Sequence, residues 1–136
     1  MADIRNVTET FAVAPQLEVT DLALIKAAGF KTILCNRPDG ESGPEQPGIE
    51  ILKKAAEDLG LTFLALPFSG MPSSEIATQQ GALIASADAP VLAYCRSGTR
   101  SITAWALSQA GQNKGPEIIE AAANAGYDLS GLATHL

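Results

Sequence analysis

The chain has 136 residues, 46% of them apolar and 18% charged, with a formal net charge of −6. That length fits one domain, spanning 1–136, with a core that needs no staples. The acidic balance, without clustered Lys or Arg, speaks against a nucleic-acid surface, and no apolar run approaches the roughly 18 residues that cross a bilayer.

The N-terminus carries Asp3 and Glu9 where an export leader would be basic, and Phe11 to Pro15 is too short for its apolar region. Two cysteines cannot frame a disulfide scaffold, so a reducing, cytoplasmic compartment is expected. With two Cys and one His, no metal site is expected.

Short apolar runs alternate with amphipathic segments along the chain. Phe11 to Ala14 reads as a strand. Asp21 is placed to cap a helix to about Ala28, with Leu22, Ile25 and Ala28 on one face and Gly29 ending it. Lys31 to Arg37 is β-like. Pro38 to Pro47, rich in Gly, Pro and acids, is a loop. Ile49, Leu52, Ala56 and Leu59 share a helical face that Gly60 stops. Leu61 to Phe68 is strand-like. After a loop over Gly70 to Ser74, Ser73 or Ser74 caps a helix to about Ser86, with Ile76, Leu83, Ile84 and Ala87 on its buried face. Ala89 to Tyr94 is a fourth strand; Ser101 to Ala110 and Glu117 to Ala125 are helices.

Such alternation with short connections predicts a single α/β domain. Its centre is a mainly parallel sheet of four to five strands flanked by helices. Sites in these sheets lie beyond the carboxyl ends of the strands. Cys95, Arg37 and the loop after Phe68 all fall at such ends.

The stretch Cys95-Arg96-Ser97-Gly98-Thr99-Arg100-Ser101 carries the chemistry. A cysteine follows a strand, a short loop with one glycine follows the cysteine, and a helix then begins. Loop N–H groups and the positive end of a helix would converge there on an anion. A free thiol has a pKa of about 8.5, so reactivity at neutral pH needs help. The N–H groups of Arg96, Ser97, Gly98, Thr99, Arg100 and Ser101, the dipole, and the Arg96 and Arg100 guanidinium groups would supply it. Gly98 permits close backbone approach, and the Ser101 hydroxyl can cap the helix or donate to the thiolate. Cys95 and Arg100 are thus the candidate catalytic residues; Arg96, Ser97, Gly98, Thr99 and Ser101 would bind substrate. Arg37 is either a second cation facing this pocket or the partner of Asp39 or Glu41. Cys35 is a core thiol or a backup that pairs with Cys95 on oxidation. His135 lies in the C-terminal tail, Trp105 in the core, and Tyr127-Asp128 at a turn.

This loop resembles that of single-domain rhodaneses, and it is similar to the loop of tyrosine and dual-specificity phosphatases. Four residues separate Cys95 from Arg100, as in rhodaneses; phosphatases have one more. A wider set of residues is in order along the chain: Pro15-Gln16, Ala28 to Ile33, Arg37-Pro38-Asp39, Glu41, Gln46-Pro47, Ala55-Ala56, Gly60-Leu61, Pro90 to Leu92 and Gly126 to Leu129. On these the chain resembles the DUF442 family, the beta-lactamase hydrolase-like phosphatase-like domain, over about residues 3 to 132. That resemblance implies a dual-specificity-phosphatase fold and a link to sulfide or persulfide metabolism. It also implies a possible persulfide dioxygenase partner. Two positions depart from the family: Pro15 stands where Gly is common, and Tyr94 where a His commonly precedes the cysteine.

A phosphatase needs a general acid, usually Asp, on a neighbouring loop. Phe68 to Glu75 holds no Asp. The leading expectation is therefore a cofactor-free sulfurtransferase. It would move sulfane sulfur from a small-molecule donor, thiosulfate or a persulfide, to a thiol acceptor through a Cys95 persulfide. A phosphatase working through a Cys95 phosphoenzyme is the alternative, and a non-catalytic persulfide or anion sensor the third.

Overall fold

The structure, a computed structural model, describes residues 2–136. Five strands, β1 (Arg5–Asn6), β2 (Phe11–Ala14), β3 (Thr32–Cys35), β4 (Thr62–Ala65) and β5 (Val91–Tyr94), form one sheet in the order β1-β2-β5-β3-β4. β2, β5, β3 and β4 run parallel, and β1 pairs antiparallel to β2. Every residue of β2, β3 and β5 is buried. Strands covered on both faces read as continuous apolar runs, which is why these three stand out in the sequence. β1 does not: its two residues are exposed, and only pairing with β2 makes it a strand.

Five helices cover the sheet: α1 (Leu22–Ala27), α2 (Ile49–Asp58), α3 (Ser74–Ser86), α4 (Thr99–Ser108) and α5 (Gly115–Asn124). On one face Ala12, Ala14, Ile33, Cys35, Leu92 and Tyr94 meet Leu22, Ile25, Leu52 and Ala56 of α1 and α2. On the other, Phe11, Val13, Leu34, Val91 and Ala93 meet Ile102, Trp105 and Ala106 of α4 and Ile118 and Ala122 of α5. α3 packs along α4, where Gly81 gives the room: a Cβ there would lie 2.7 Å from Ser108 Cβ. The connections β2–α1–β3 and β4–α3–β5 cross opposite faces, so the order reverses around β5. Crevices that hold ligands form at such a switch point.

Several boundaries differ from the sequence pattern. Asp21 does not cap α1 directly. A 3-10 turn, Val19–Asp21, precedes the helix, and the Asp21 carboxylate accepts the Glu18 N–H at 2.8 Å in a capping box. Ala28 is exposed rather than part of the buried face. β3 stops at Cys35, so Asn36 and Arg37 leave the ladder. α4 starts at Thr99 rather than Ser101, with Gly98 as its N-cap. Ser73 does cap α3, its Oγ accepting the Ile76 N–H at 3.2 Å. The fully buried residues of α3 are Ala77 and Gln80, however, while Ile76, Leu83, Ile84 and Ala87 are half-buried.

A polar pair explains that shift. Gln80 and Asn36 are both 0% exposed and join side chain to side chain by two hydrogen bonds, 2.8 and 2.9 Å. Asn36 also donates to Leu66 O at 3.0 Å, and Gln80 to Ser101 O at 3.4 Å. A buried amide must be paired, and here the pairing welds β3, β4, α3 and the first turn of α4.

Candidate active site

β5 delivers Cys95 to the centre of the carboxyl edge. The Cys95 N–H donates to Ala14 O at 3.4 Å, so the loop departs beside the end of β2. Cys95 is 1% exposed, and its Sγ accepts the Gly98 N–H at 3.1 Å. That return is possible because Gly98 has φ of +89°, the left-handed region that favours glycine. A side chain there would also collide with Tyr127 Oη.

Among the described residues, the backbone N–H groups of Arg96, Ser97, Thr99, Arg100 and Ser101 have no acceptor. Unpaired N–H groups around a helix start form an anion-binding concavity. Ser101 adds to it: the residue is 0% exposed, and its Oγ is buried without a partner. A bound anion or a thiolate would satisfy these donors. The loop expected from the sequence is therefore assembled around Cys95.

The arginines are placed differently from one another. Arg96 is exposed and its carbonyl accepts the Gln16 N–H at 3.3 Å. Arg100, in the first turn of α4, binds Glu41 in a bidentate pair, both contacts 2.7 Å, and donates to Phe68 O at 2.9 Å. Arg37 is 4% exposed and donates to Glu41 at 2.8 Å, Gln16 Oε1 at 3.0 Å and Ser42 Oγ at 2.7 Å. Of its two sequence readings, the ion pair with Glu41 holds, and Arg37 reaches the loop through that carboxylate. Arg100, mainly through its hydrogen bonds, and Arg37 behind it hold Glu41 down at a pKa of about 2.

Tyr94, which stands where a His is common, points to the other sheet face, into the cluster that also holds Cys35. Burial, then the nearby Cys35 thiol, pushes its hydroxyl well above the ordinary range. Cys35 is itself raised by burial, and its thiol donates to Arg37 O at 3.3 Å. Both cysteines are free. Residues two apart on a strand share a face, so Cys95 continues the side of Ala93, opposite Cys35. Peroxide treatment should therefore oxidise Cys95 without joining it to Cys35. Peptide mass spectrometry under non-reducing conditions checks this, and a Cys35–Cys95 linked peptide would contradict it.

Gln16 and Tyr127, marked in the sequence only as members of the family pattern, are two buttresses of the site. The Tyr127 hydroxyl donates to Ser97 O at 2.9 Å from beyond α5 and stands over Gly98. Tyr127→Phe removes one hydrogen bond, costing about 1 kcal/mol. The melting temperature should fall by roughly 3–5 °C, and turnover should fall several-fold with a smaller change in KM. Thermal melts and steady-state kinetics test this; unchanged turnover would deny Tyr127 a role in shaping the loop.

His135 lies in a 3-10 segment, Ser130–His135, and lines an open groove of about 1240 Å³ along α3 and α4 with Met71, Ala77, Ile84 and Trp105. No residue of the Cys95–Ser101 loop lines that groove, so His135 is not paired with Cys95. Among the described residues no helix is long and apolar enough to cross a membrane.

Comparison with known proteins agrees with this geometry. Residues 3–112 match the model of the beta-lactamase hydrolase-like protein, phosphatase-like domain. A beta-lactamase hydrolase-like protein from Agrobacterium fabrum is 36% identical over 129 residues, which cover 91% of this chain but 29% of the relative. The chain thus spans under a third of that protein. A crystal structure from Neisseria meningitidis, described as a candidate phosphatase, superposes with a TM-score of 0.85 at 34% identity, covering 96% of this chain and 94% of the other. A DUF442 structure from Shewanella putrefaciens, at 18% identity and a TM-score of 0.72, covers 93% of this chain and 80% of its own and shares the fold. The names of these relatives speak for a phosphatase-type hydrolase, the alternative reading of the sequence, rather than for sulfur transfer. The family match over most of the chain, the phosphatase-type fold and the loop at the end of β5 agree: this chain belongs to the beta-lactamase hydrolase-like protein, phosphatase-like domain family.

Proposed function

We propose that this domain is a sulfurtransferase working through a persulfide on Cys95. The observation that carries the reading is the state of Glu41, the carboxylate beside the loop. Gripped by Arg100 and Arg37, it is ionised and has no proton to give. Expelling an alkoxide from a phosphate ester calls for a proton donor. Expelling sulfite or a thiolate does not, since both are stable anions. The four-residue gap between Cys95 and Arg100 supports the same choice, because a tighter loop suits a terminal sulfur better than a tetrahedral phosphate.

The steps balance simply. Cys95 Sγ, as thiolate, attacks the outer sulfur of the donor. The new S–S bond forms as the donor's own bond to that sulfur breaks, and the electron pair leaves on sulfite or on the donor thiolate. The loop N–H groups and the Ser101 hydroxyl stabilise the terminal sulfur of the enzyme persulfide. An acceptor thiolate then removes it and restores Cys95. The persulfide dioxygenase that the sequence resemblance implies belongs to this proposal as a partner consuming the product thiol persulfide.

The second reading is phosphoryl transfer to Cys95, and it is the one favoured by the fold and by the names of the relatives. Intact-mass measurement after exposure to thiosulfate, to an organic persulfide, or to an aryl phosphate separates the two. A gain of one sulfur atom with turnover supports sulfur transfer. A phosphoryl adduct with phosphate release would replace it with the phosphatase reading. Sulfur gain without turnover would point to a sensor.

A further inference from the structure

Two buried amides close the Cys95 loop at its base. The residue before Cys95, Tyr94, accepts the Asn36 backbone N–H on its carbonyl at 2.8 Å. At the other end of the loop, the Ser101 carbonyl accepts a Gln80 side-chain N–H at 3.4 Å. Asn36 and Gln80 are themselves joined by the paired bonds of 2.8 and 2.9 Å. Both ends of the loop therefore hang on one unit. Asn36 also serves the neighbouring loop, its carbonyl accepting the Phe68 N–H at 3.2 Å.

That unit has a single orientation. The Gln80 Nε2 spends its two hydrogens on Asn36 Oδ1 and Ser101 O, and the Asn36 Nδ2 spends its two on Gln80 Oε1 and Leu66 O. Turning either amide over would set N–H against N–H. Both residues are 0% exposed, so bulk water cannot replace a lost bond. Stability alone does not call for amides here, because an apolar pair of the same shape can be as stable. What an apolar pair cannot do is hold the Ser101 carbonyl. The residue so held is the one with chemistry to spare: among the described residues, Ser101 Oγ is the one buried side-chain N or O atom without a partner.

We propose that Asn36 and Gln80 are positioning residues of the Cys95 site. Through Tyr94 O and Ser101 O they set the width of the loop, and so place the Ser101 hydroxyl and the loop N–H groups around the reacting sulfur. The effect depends on Cys95 being the reacting thiol and is the same for sulfur or phosphoryl transfer.

The test is the rate at which iodoacetamide alkylates Cys95, followed by peptide mass, with a denaturant melt of each variant. Alkylation needs neither a sulfur donor nor a phosphate ester, so its outcome is separate from either reading of the chemistry. Gln80→Leu should slow it about five- to tenfold, the scale of one hydrogen bond at the sulfur. In a Ser101→Ala background the same change should add less than about twofold, as expected of residues that act through one another. Leu52→Ala opens a cavity on the opposite face of the sheet and should lose stability while keeping the parental rate. If Gln80→Leu alone does not fold, Asn36→Leu with Gln80→Leu leaves no side-chain amide unpaired and should be just as slow. A rate unchanged or raised overturns the positioning role. So does an equal loss in Leu52→Ala, or the full Gln80→Leu effect in the absence of the Ser101 hydroxyl.

Discussion

Cys95→Ser is expected to abolish sulfur transfer, leaving kcat/KM at least about a thousandfold down, because the covalent intermediate has no atom on which to form. Serine keeps an acceptor for the Gly98 N–H, which now reaches Cys95 Sγ at 3.1 Å. The loop should therefore stand, and stability should change by no more than about 1 kcal/mol. This pairing of lost chemistry with intact folding distinguishes a nucleophile from a packing residue. It is read by turnover, by intact mass and by a melt. Substantial turnover by Cys95→Ser would remove Cys95 from the mechanism under either the sulfur or the phosphoryl reading.

The largest effect on stability should come from Gln80→Leu. Gln80 and Asn36 are fully buried and satisfy one another. Leucine fills the space but leaves the Asn36 carbonyl oxygen without its donor, at a cost of about 1–3 kcal/mol. The midpoint of denaturant unfolding should drop accordingly with an unchanged m-value. Asn36→Leu together with Gln80→Leu should cost less than the sum of the two single changes, as expected for residues that share one interaction. Strict additivity would mean that the pair does not act as a unit. The Gln80 amide also reaches Ser101 O, so the single variant should slow the reaction as well as weaken the fold.

The α/β class, the order of the four parallel strands and five helices, and the loop from Cys95 to Ser101 are legible in the sequence, for a physical reason, whereas β1 is not. Strands buried on both faces, such as β2, β3 and β5, leave apolar runs, and a cysteine between a strand and a helix leaves a local pattern. What escapes is what depends on distant partners. Gln80 looks like a solvent residue until Asn36, 44 positions away, is brought against it. Arg100 looks like a free cation until Glu41, 59 positions away, is found on it. Glu41 itself sits in a loop of acids, prolines and glycines, where nothing local marks one carboxylate from another. Tyr127 meets Ser97 across 30 positions. The same dependence explains Arg37, whose alternatives only the fold could separate.

The place of β5 has a consequence for how the molecule opens. This strand has a hydrogen-bonded neighbour on each side, β2 and β3. Glu41 hangs instead on the connection after β3, among exposed residues. Segments with few buried contacts open by local fluctuation, while central strands open only when the whole domain does. Amide hydrogens of Leu92 to Tyr94 should thus outlast those of Gly40 to Ser42 by orders of magnitude in exchange with heavy water. The nucleophile thus follows the strand expected to open last, while the connection that carries Glu41, pinned by its arginine contacts, is expected to open before it.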